Sequence, residues 1–351
     1  MSLEIDYLEA TGKSKLNIGF ESEDLKLFSG KRVLITGAGG SIGSRIAFLL
    51  KDVADIELFF LDQHENSLHS LALNLYGRAD FDSQQGLIVC DIRNLASLKE
   101  VISTIKPQII IHAAALKHLT VLEKFPAEAF MTNVIGSRNL LLCAYDFGIM
   151  NFLNISTDKA ANPVNNLGKS KRTAELLVNR FREITNSNHT SVRFGNVFNS
   201  RGSVIETFSH QILNSLPVTV THPDASRFFM HVDEAAMLVI KSLTINAGPV
   251  HVLNMGNQVR ILDIVQRLEL ILGKKANVIF TGLKSGEKLE EDLTSRKEEL
   301  TSTTNSYINV IKSPTLELSN EDFEIIRKVN TSESDFNVSN FLDYKYLDLS
   351  S

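Results

Sequence analysis

Apolar residues fall into short, nearly continuous runs, separated by longer stretches in which they recur every three to four positions. The runs lie at 32–36, 56–61, 86–90, 108–112, 151–155 and 191–194, and the periodic stretches at about 42–52, 64–76, 95–104, 126–147 and 166–185. Such runs predict strands buried on both faces, with helices packed over them. Strand alternating with helix from residue 31 onward predicts a doubly wound α/β domain, with a parallel sheet, over about 30–195.

The rhythm changes on either side. Residues 1–29 carry no strong periodicity and predict an arm packed on the outside or on a partner subunit. After Gly195, loops rich in Gly, Asn and Ser, a Pro-containing stretch at 217–224 and a helical pattern at 232–244 predict a smaller lobe. The expected division is an arm at 1–29, a first domain at 30–195, and a lobe with a C-terminal tail at 196–351, unless returning segments rejoin the first domain. From residue 300 the chain is polar and acidic, with Ser/Thr clusters at 301–306 and 331–334. That is the composition of a tail that is ordered only in part.

Hydrophobic residues make up 43% and charged residues 22% of the 351, which is globular composition. A net charge of -5 leaves no electrostatic footprint for nucleic acid. Cys90 and Cys143 sit in apolar runs without metal-ligand spacing, so free thiols in a reducing compartment are expected, and no metal. No apolar run reaches the ~18 residues of a membrane span. The mixed, acidic N-terminus is unlike a signal peptide. A soluble, cytoplasmic protein is expected.

Residues 33–43 read Val-Leu-Ile-Thr-Gly-Ala-Gly-Gly-Ser-Ile-Gly, a strand entering a glycine-rich turn and then a helix. Gly37, Gly40 and Gly43 let backbone approach a pyrophosphate, and the helix start at Ser41 and Ile42 offers N–H donors. Asp62 ends the second run nineteen residues after Gly43, at the spacing of a carboxylate that binds adenosine ribose; the alternative is an N-cap for the next helix. Its neighbours Gln63 and His64 include no Arg for a 2′-phosphate, which favours NAD over NADP. Asp91 and Ile92, after the third run, are placed to flank an adenine, or Asp91 serves a turn. Ala113 and Ala114, after the fourth, permit close passage of a cofactor or tight packing. After the fifth run come Ser156-Thr157-Asp158-Lys159, and the next helix puts Leu167 and Lys171 on one face. Ionisable groups at a strand end, followed by a helix, are well placed to line a crevice.

These segments together resemble an extended short-chain dehydrogenase/reductase of Rossmann type. They are most similar to the bacterial UDP-N-acetylglucosamine 4,6-dehydratases of polysaccharide biosynthesis. The resemblance runs from Thr36 through His112–His118, Ser156–Lys159, Ser170-Lys171 and 192–205 to 218–230 and 282–289. Many members carry membrane-spanning helices ahead of the cofactor domain, and this chain resembles a soluble, catalytic-domain-only version. The resemblance implies that Lys117 contacts the cofactor phosphates or ribose, that Asn133 sits near the nicotinamide, and that Lys171 binds the nicotinamide ribose. Asn196, Arg201, Ser203, Val204, Arg227 and Glu287 match UDP-binding positions, and Lys284 stands where an Arg is usual. A homo-oligomer is the family habit.

The implied reaction oxidises C4 of the sugar with NAD, eliminates water across C5 and C6, and returns the hydride to C6. Thr157 would hydrogen-bond the C4 oxygen and Asp158 would protonate the leaving hydroxyl. Lys159 would be the C5 base, with burial lowering its pKa; the last two roles can be exchanged. Most short-chain dehydrogenases have a Tyr where this chain has Leu167. Leucine cannot transfer a proton, which favours a dehydratase of the Met-bearing branch. The alternatives are a UDP-sugar 4-epimerase, which has no need of the Asp158–Lys159 pair, and a catalytically silent nucleotide-binding scaffold.

Overall fold

The computed structural model describes residues 5–79, 86–198, 200, 202–312 and 320–328. Six parallel strands carry the first half: β1 (Arg32–Thr36), β2 (Glu57–Asp62), β3 (Leu87–Val89), β4 (Ile109–His112), β5 (Asn151–Ile155) and β6 (Asn188–Arg193). Their order is β3-β2-β1-β4-β5-β6, so Val33 of β1 pairs with Leu58 on one side and Ile109 on the other. The strand order reverses at β1, which opens a crevice beyond the carboxyl ends of β1 and β4. This is a Rossmann-type sheet, and the expected strands and helices fall within a few residues of the observed ones.

The expected single helix at 126–147 is built differently. Pro126 starts a short turn, Phe130–Gly136 is π-helical, and α-helix resumes at Ser137–Asp146. A π turn carries one extra residue, a device common beside functional sites and invisible to a 3.6-residue period.

The sheet also gains strands from beyond residue 195. Val250–Leu253 runs parallel to β6, Ile308–Ile311 antiparallel to Val250–Leu253, and Leu300–Ser302 antiparallel to Ile308–Ile311, making nine strands among the described residues. Ile308, Val310 and Ile311 are fully buried, although the polar composition around them suggested a tail. The helix Val232–Ser242, expected in the smaller lobe, instead packs Ala235, Ala236 and Val239 into one core with Val33, Ile46 and Leu50. Each large aliphatic buried there contributes roughly 1.5–3 kcal/mol. The change of pattern at 195 therefore does not end the first core, which later segments rejoin.

The lobe proper has its own core, including Phe198, Phe208, Val218, Ile264 and Leu268, which Tyr7 and Ala10 of the N-terminal arm complete. Three two-stranded pairings frame it, among them Asn196–Phe198 parallel to Phe229–His231. The arm packs on its own chain. Tyr7 donates to the Phe229 carbonyl at 3.0 Å, Lys13 donates to the same oxygen, and Asp24 pairs with Lys241. The Ser/Thr cluster at 331–334 lies outside the described residues.

Candidate active site

A cleft of about 500 Å³ opens at the carboxyl ends of β1, β4 and β5. Gly37, Gly40, Ser41, Ile42 and Gly43 form one part of its lining. Gly37 has a φ of +64°, and a Cβ there would sit 2.5 Å from the Ala114 amide nitrogen. A Cβ on Gly43 would sit 2.3 Å from the Gly37 carbonyl oxygen. Both positions exclude a side chain, so the turn and the helix Ser41–Leu50 close up on each other. That helix has no side-chain cap at Gly40, so its dipole and its first-turn amides face the cleft. Such a cradle fits a diphosphate.

Asp62 secures this loop. Its two oxygens accept the N–H groups of Gly39 and His64, each at 3.0 Å. The cap of the following helix is His64 and not Asp62. Asp91 is held by Arg93, whose guanidinium and backbone N–H both donate to it. Burial alone would raise the Asp91 pKa, but these bonds hold it below the usual carboxylate range. Ile92 is buried, with its Cδ1 2.5 Å from where a Cβ on Gly136 would lie. An adenine contact through Asp91 would share its carboxylate with Arg93. Ala113 lines the cleft, while Ala114 backs Gly37.

The second part of the site is the end of β5. Thr157 donates to Asp158 Oδ1 at 2.7 Å, and the Lys159 backbone N–H and Nζ donate to the same oxygen at 2.9 and 3.1 Å. Asp158 is 1% exposed, and among the described residues its Oδ2 has no hydrogen-bond partner. Gly195 makes room for that oxygen, since a Cβ there would lie 2.9 Å from it. A buried carboxylate oxygen without a donor is costly, and its presence marks a place for a proton or a substrate hydroxyl.

Lys159 departs from expectation. Burial does act to lower its pKa, but the Asp158 and Glu291 carboxylates, 3.1 and 3.5 Å away, outweigh it and hold the ammonium above its ordinary value. The resting Lys159 is therefore an acid, and it acts as a base only after giving up a proton. Glu291 was not among the expected site residues. Nothing in its local sequence marks it, because it meets Lys159 only through the fold.

Lys171 lines the cleft, and burial draws its pKa down to about 8, with Glu175 partly offsetting the shift. His112 lies beneath, bonded to Thr36 and Ser137, and burial followed by the Lys171 charge keeps it neutral, with a pKa of about 3. Asn133, in the π-helical stretch, is fully buried. It bonds both the N–H and the carbonyl of Leu116 and the Ser170 hydroxyl, so it braces the loop that carries Lys117 against the helix Asn166–Thr185. Leu167 lines the cleft and packs with Leu122 and Ala129.

Lys117, Asn196, Ser203 and Val204 also line the cleft. Arg201 lies outside the described residues. Arg227 is buried and already engaged: it donates to Glu287 Oε1 at 3.2 Å and to the carbonyls of Ser226, Lys288 and Leu289. Glu287 also accepts from Thr221 and from the Lys284 amide. The two residues are thus brought together, each spending part of its capacity on the other. Behind β5 lies a second feature that sequence did not reveal. Arg193 and Arg172 share the carboxylates of Glu175 and Glu298, and Ser156 donates to Glu175 at 2.6 Å. This buried network fixes the strand end from which Thr157 and Asp158 project.

A family model described as "Polysaccharide biosynthesis protein" matches residues 33–313. The chain belongs to that family. The capsular polysaccharide biosynthesis protein CapD of Staphylococcus aureus is 38% identical over 305 residues, 84% of this chain and 50% of that protein. The chain thus spans about half the length of the first such curated relatives. The UDP-glucose 4-epimerase of Rickettsia prowazekii is 30% identical over 281 residues, 78% of this chain and 80% of the other. Among solved structures, Pen from Bacillus thuringiensis superposes with a TM-score of 0.73 at 29% identity, over 83% of this chain and 90% of that one. The dTDP-glucose 4,6-dehydratase DesIV of Streptomyces venezuelae, a double mutant with NAD and DAU bound, has a TM-score of 0.65 at 21% identity, over 74% of this chain and 87% of its own. At that identity the likeness speaks for the fold. Among the described residues, no helix is long and apolar enough to cross a membrane.

Proposed function

We propose that this family member is an NAD-dependent nucleotide-sugar enzyme, and specifically a UDP-N-acetylglucosamine 4,6-dehydratase that makes a UDP-4-keto-6-deoxy sugar. The observation that carries the reading is the cluster at the end of β5. There a hydroxyl, a carboxylate with one unpartnered buried oxygen, and an ammonium meet within 3.1 Å, next to an apolar Leu167. Elimination of water needs both an acid and a base at neighbouring carbons. An epimerase needs neither of these beyond its redox step.

Bound NAD supplies the two-electron chemistry at C4 and C6, and the glycine cradle with its uncapped helix start fits the cofactor's diphosphate. Thr157, already donating to Asp158, passes on the proton of the C4 hydroxyl, so Asp158 becomes the acid for the C6 hydroxyl. Leu167 takes no proton and keeps water from that face. Lys171 holds the nicotinamide ribose, and Asn196, Ser203, Arg227 and Glu287 hold the UDP. Asp158→Asn and Lys159→Ala should each lower water loss by about 10²–10⁴-fold. NAD binding, read from the shift in melting temperature, should persist in both. Full turnover in either variant would remove that residue from its role.

The 4-epimerase reading is supported by the UDP-glucose 4-epimerases of several Rickettsia species, which are 30–31% identical to this chain. It predicts a product of unchanged mass.

A further inference from the structure

Lys159 presents a difficulty. As the base for C5 it must be neutral, yet it sits between two carboxylates. One of these, Asp158, carries a proton of its own by the time elimination begins, so it is not free to accept another. Among the described residues, the other carboxylate paired with Lys159 is Glu291. Its Oε1 lies 3.5 Å from Lys159 Nζ, and its side chain is 2% exposed. Its segment is clamped onto the loop that follows Lys159. Lys288 donates to the Asn162 carbonyl at 2.7 Å, Asn162 donates to Asp292 at 3.0 Å, and Asn165 donates to the Gly286 carbonyl at 2.8 Å.

We propose that Glu291 is a positioning residue that receives the ammonium proton of Lys159 and so prepares Lys159 to act as the C5 base. This rests on the dehydratase reading. The proton moves from Nζ to a Glu291 oxygen, leaving neutral Lys159 beside protonated Asp158. In the 4-keto sugar the C5–H bond then breaks, its proton goes to Lys159, and its electron pair forms the second C5–C6 bond. The C6–O bond breaks as Asp158 gives its proton to the leaving hydroxyl, and water departs with no change in oxidation state. Afterwards Lys159 returns a proton to C5 as C6 takes back the hydride that bound NAD would hold, and Lys159 recovers its own proton from Glu291, so all three groups end as they began.

The surroundings suit this role. Lys159, Asp158, Arg227 and Lys288 are the charged groups that act on Glu291. Burial raises its pKa above the usual carboxylate range, against the pull of Lys159, Arg227 and Lys288, so a proton there is tolerated. The same segment carries Glu287, which ties the geometry of the acid–base centre to the loop that meets Arg227.

The test is the pH dependence of water loss from UDP-N-acetylglucosamine by wild type, E291Q and E291D, with Lys159 acetylation by acetic anhydride measured on the substrate-free proteins. E291Q keeps the shape and loses the proton acceptor. Its rate should fall by about 10²-fold or more at pH 7. It should then climb about tenfold per pH unit, as solvent takes over removal of the Lys159 proton, where wild type is flat. E291D should stay flat with a reduced rate, and it serves alone if E291Q does not fold. Without substrate, Lys159 should acetylate about tenfold faster in E291Q at pH 8–9, because one pKa unit is tenfold in free amine. An E291Q rate that is unchanged, or lowered equally at every pH, overturns the proposal. So does a climbing profile in E291D, or equal Lys159 acetylation in E291Q and wild type. Wild type that removes no water sinks the dehydratase reading, while the acetylation arm still decides whether Glu291 governs the Lys159 proton.

Discussion

Leu167 stands where the family resemblance puts a proton-taking tyrosine, and here it has a packing role. It closes a small cluster with Leu122 and Ala129, and so holds the helices Leu119–Lys124 and Pro126–Ala129 against the helix Asn166–Thr185. Leu167→Ala should cost about 2–3 kcal/mol in denaturant unfolding, near the low end for a buried leucine because the cluster is small. Turnover of the folded variant should change little. A large catalytic loss with stability intact would mean that Leu167 shapes the reacting sugar. At this scale, sequence was informative where chemistry is local. Gly37, Gly43, Thr157, Asp158 and Lys171 are all marked by their immediate neighbours. Glu291 was hidden because its partner is far away in the chain, and the Lys159 pKa went in the opposite direction for the same reason. Burial could be guessed from the strand end; a second carboxylate could not.

The elements around the site carry ionisable groups whose burial gives stability a pH dependence. Glu298 is held to a pKa of about 2: burial opposes the shift, but hydrogen bonds and charge from Arg193, helped by Arg172, prevail. Its folded value is depressed from 4.5, so it contributes about 3 kcal/mol above pH 4.5 that is lost as pH falls toward 2. Glu298→Gln should lose about 3–5 kcal/mol at neutral pH, because Arg193 and Arg172 stay buried with one carboxylate fewer. It should also flatten the acid limb below pH 4.5. His251, on the strand Val250–Leu253, acts in a separate window. Burial, then the Arg182 charge, lowers its pKa from 6.5 to about 4, outweighing a backbone contact at Gly248 that raises it. Between these values the unfolded chain takes up a proton that the folded chain refuses, so about 3 kcal/mol is lost as pH falls from 6.5 to 4. In His251→Leu, thermal unfolding should lose that slope while keeping the one from Glu298. An unchanged slope would mean that His251 is hydrated in the folded protein.

For the molecule as a whole, the alternation of apolar runs and helical stretches was enough to predict a doubly wound sheet and its parallel sense, whereas the crevice at β1 follows from a strand order that the pattern does not carry. The division at residue 195 was less informative. Val232–Ser242 and Val250–Leu253 follow the lobe's first elements in the chain yet cover and extend the first sheet. Ile308–Ile311 does the same from within a polar stretch, where a four-residue apolar run carries little periodic signal. This return of the chain brings Glu291 and Glu298 back to the end of β5, so the C-terminal half completes a site that begins in the N-terminal half. On the proposed reading, the completed site removes water from a nucleotide sugar. The most direct measurement is the mass of the product formed from UDP-N-acetylglucosamine when the protein is incubated with catalytic NAD. A dehydratase gives loss of one water with no net consumption of NAD. A product of unchanged mass, or bound nucleotide with no turnover, would contradict that reading.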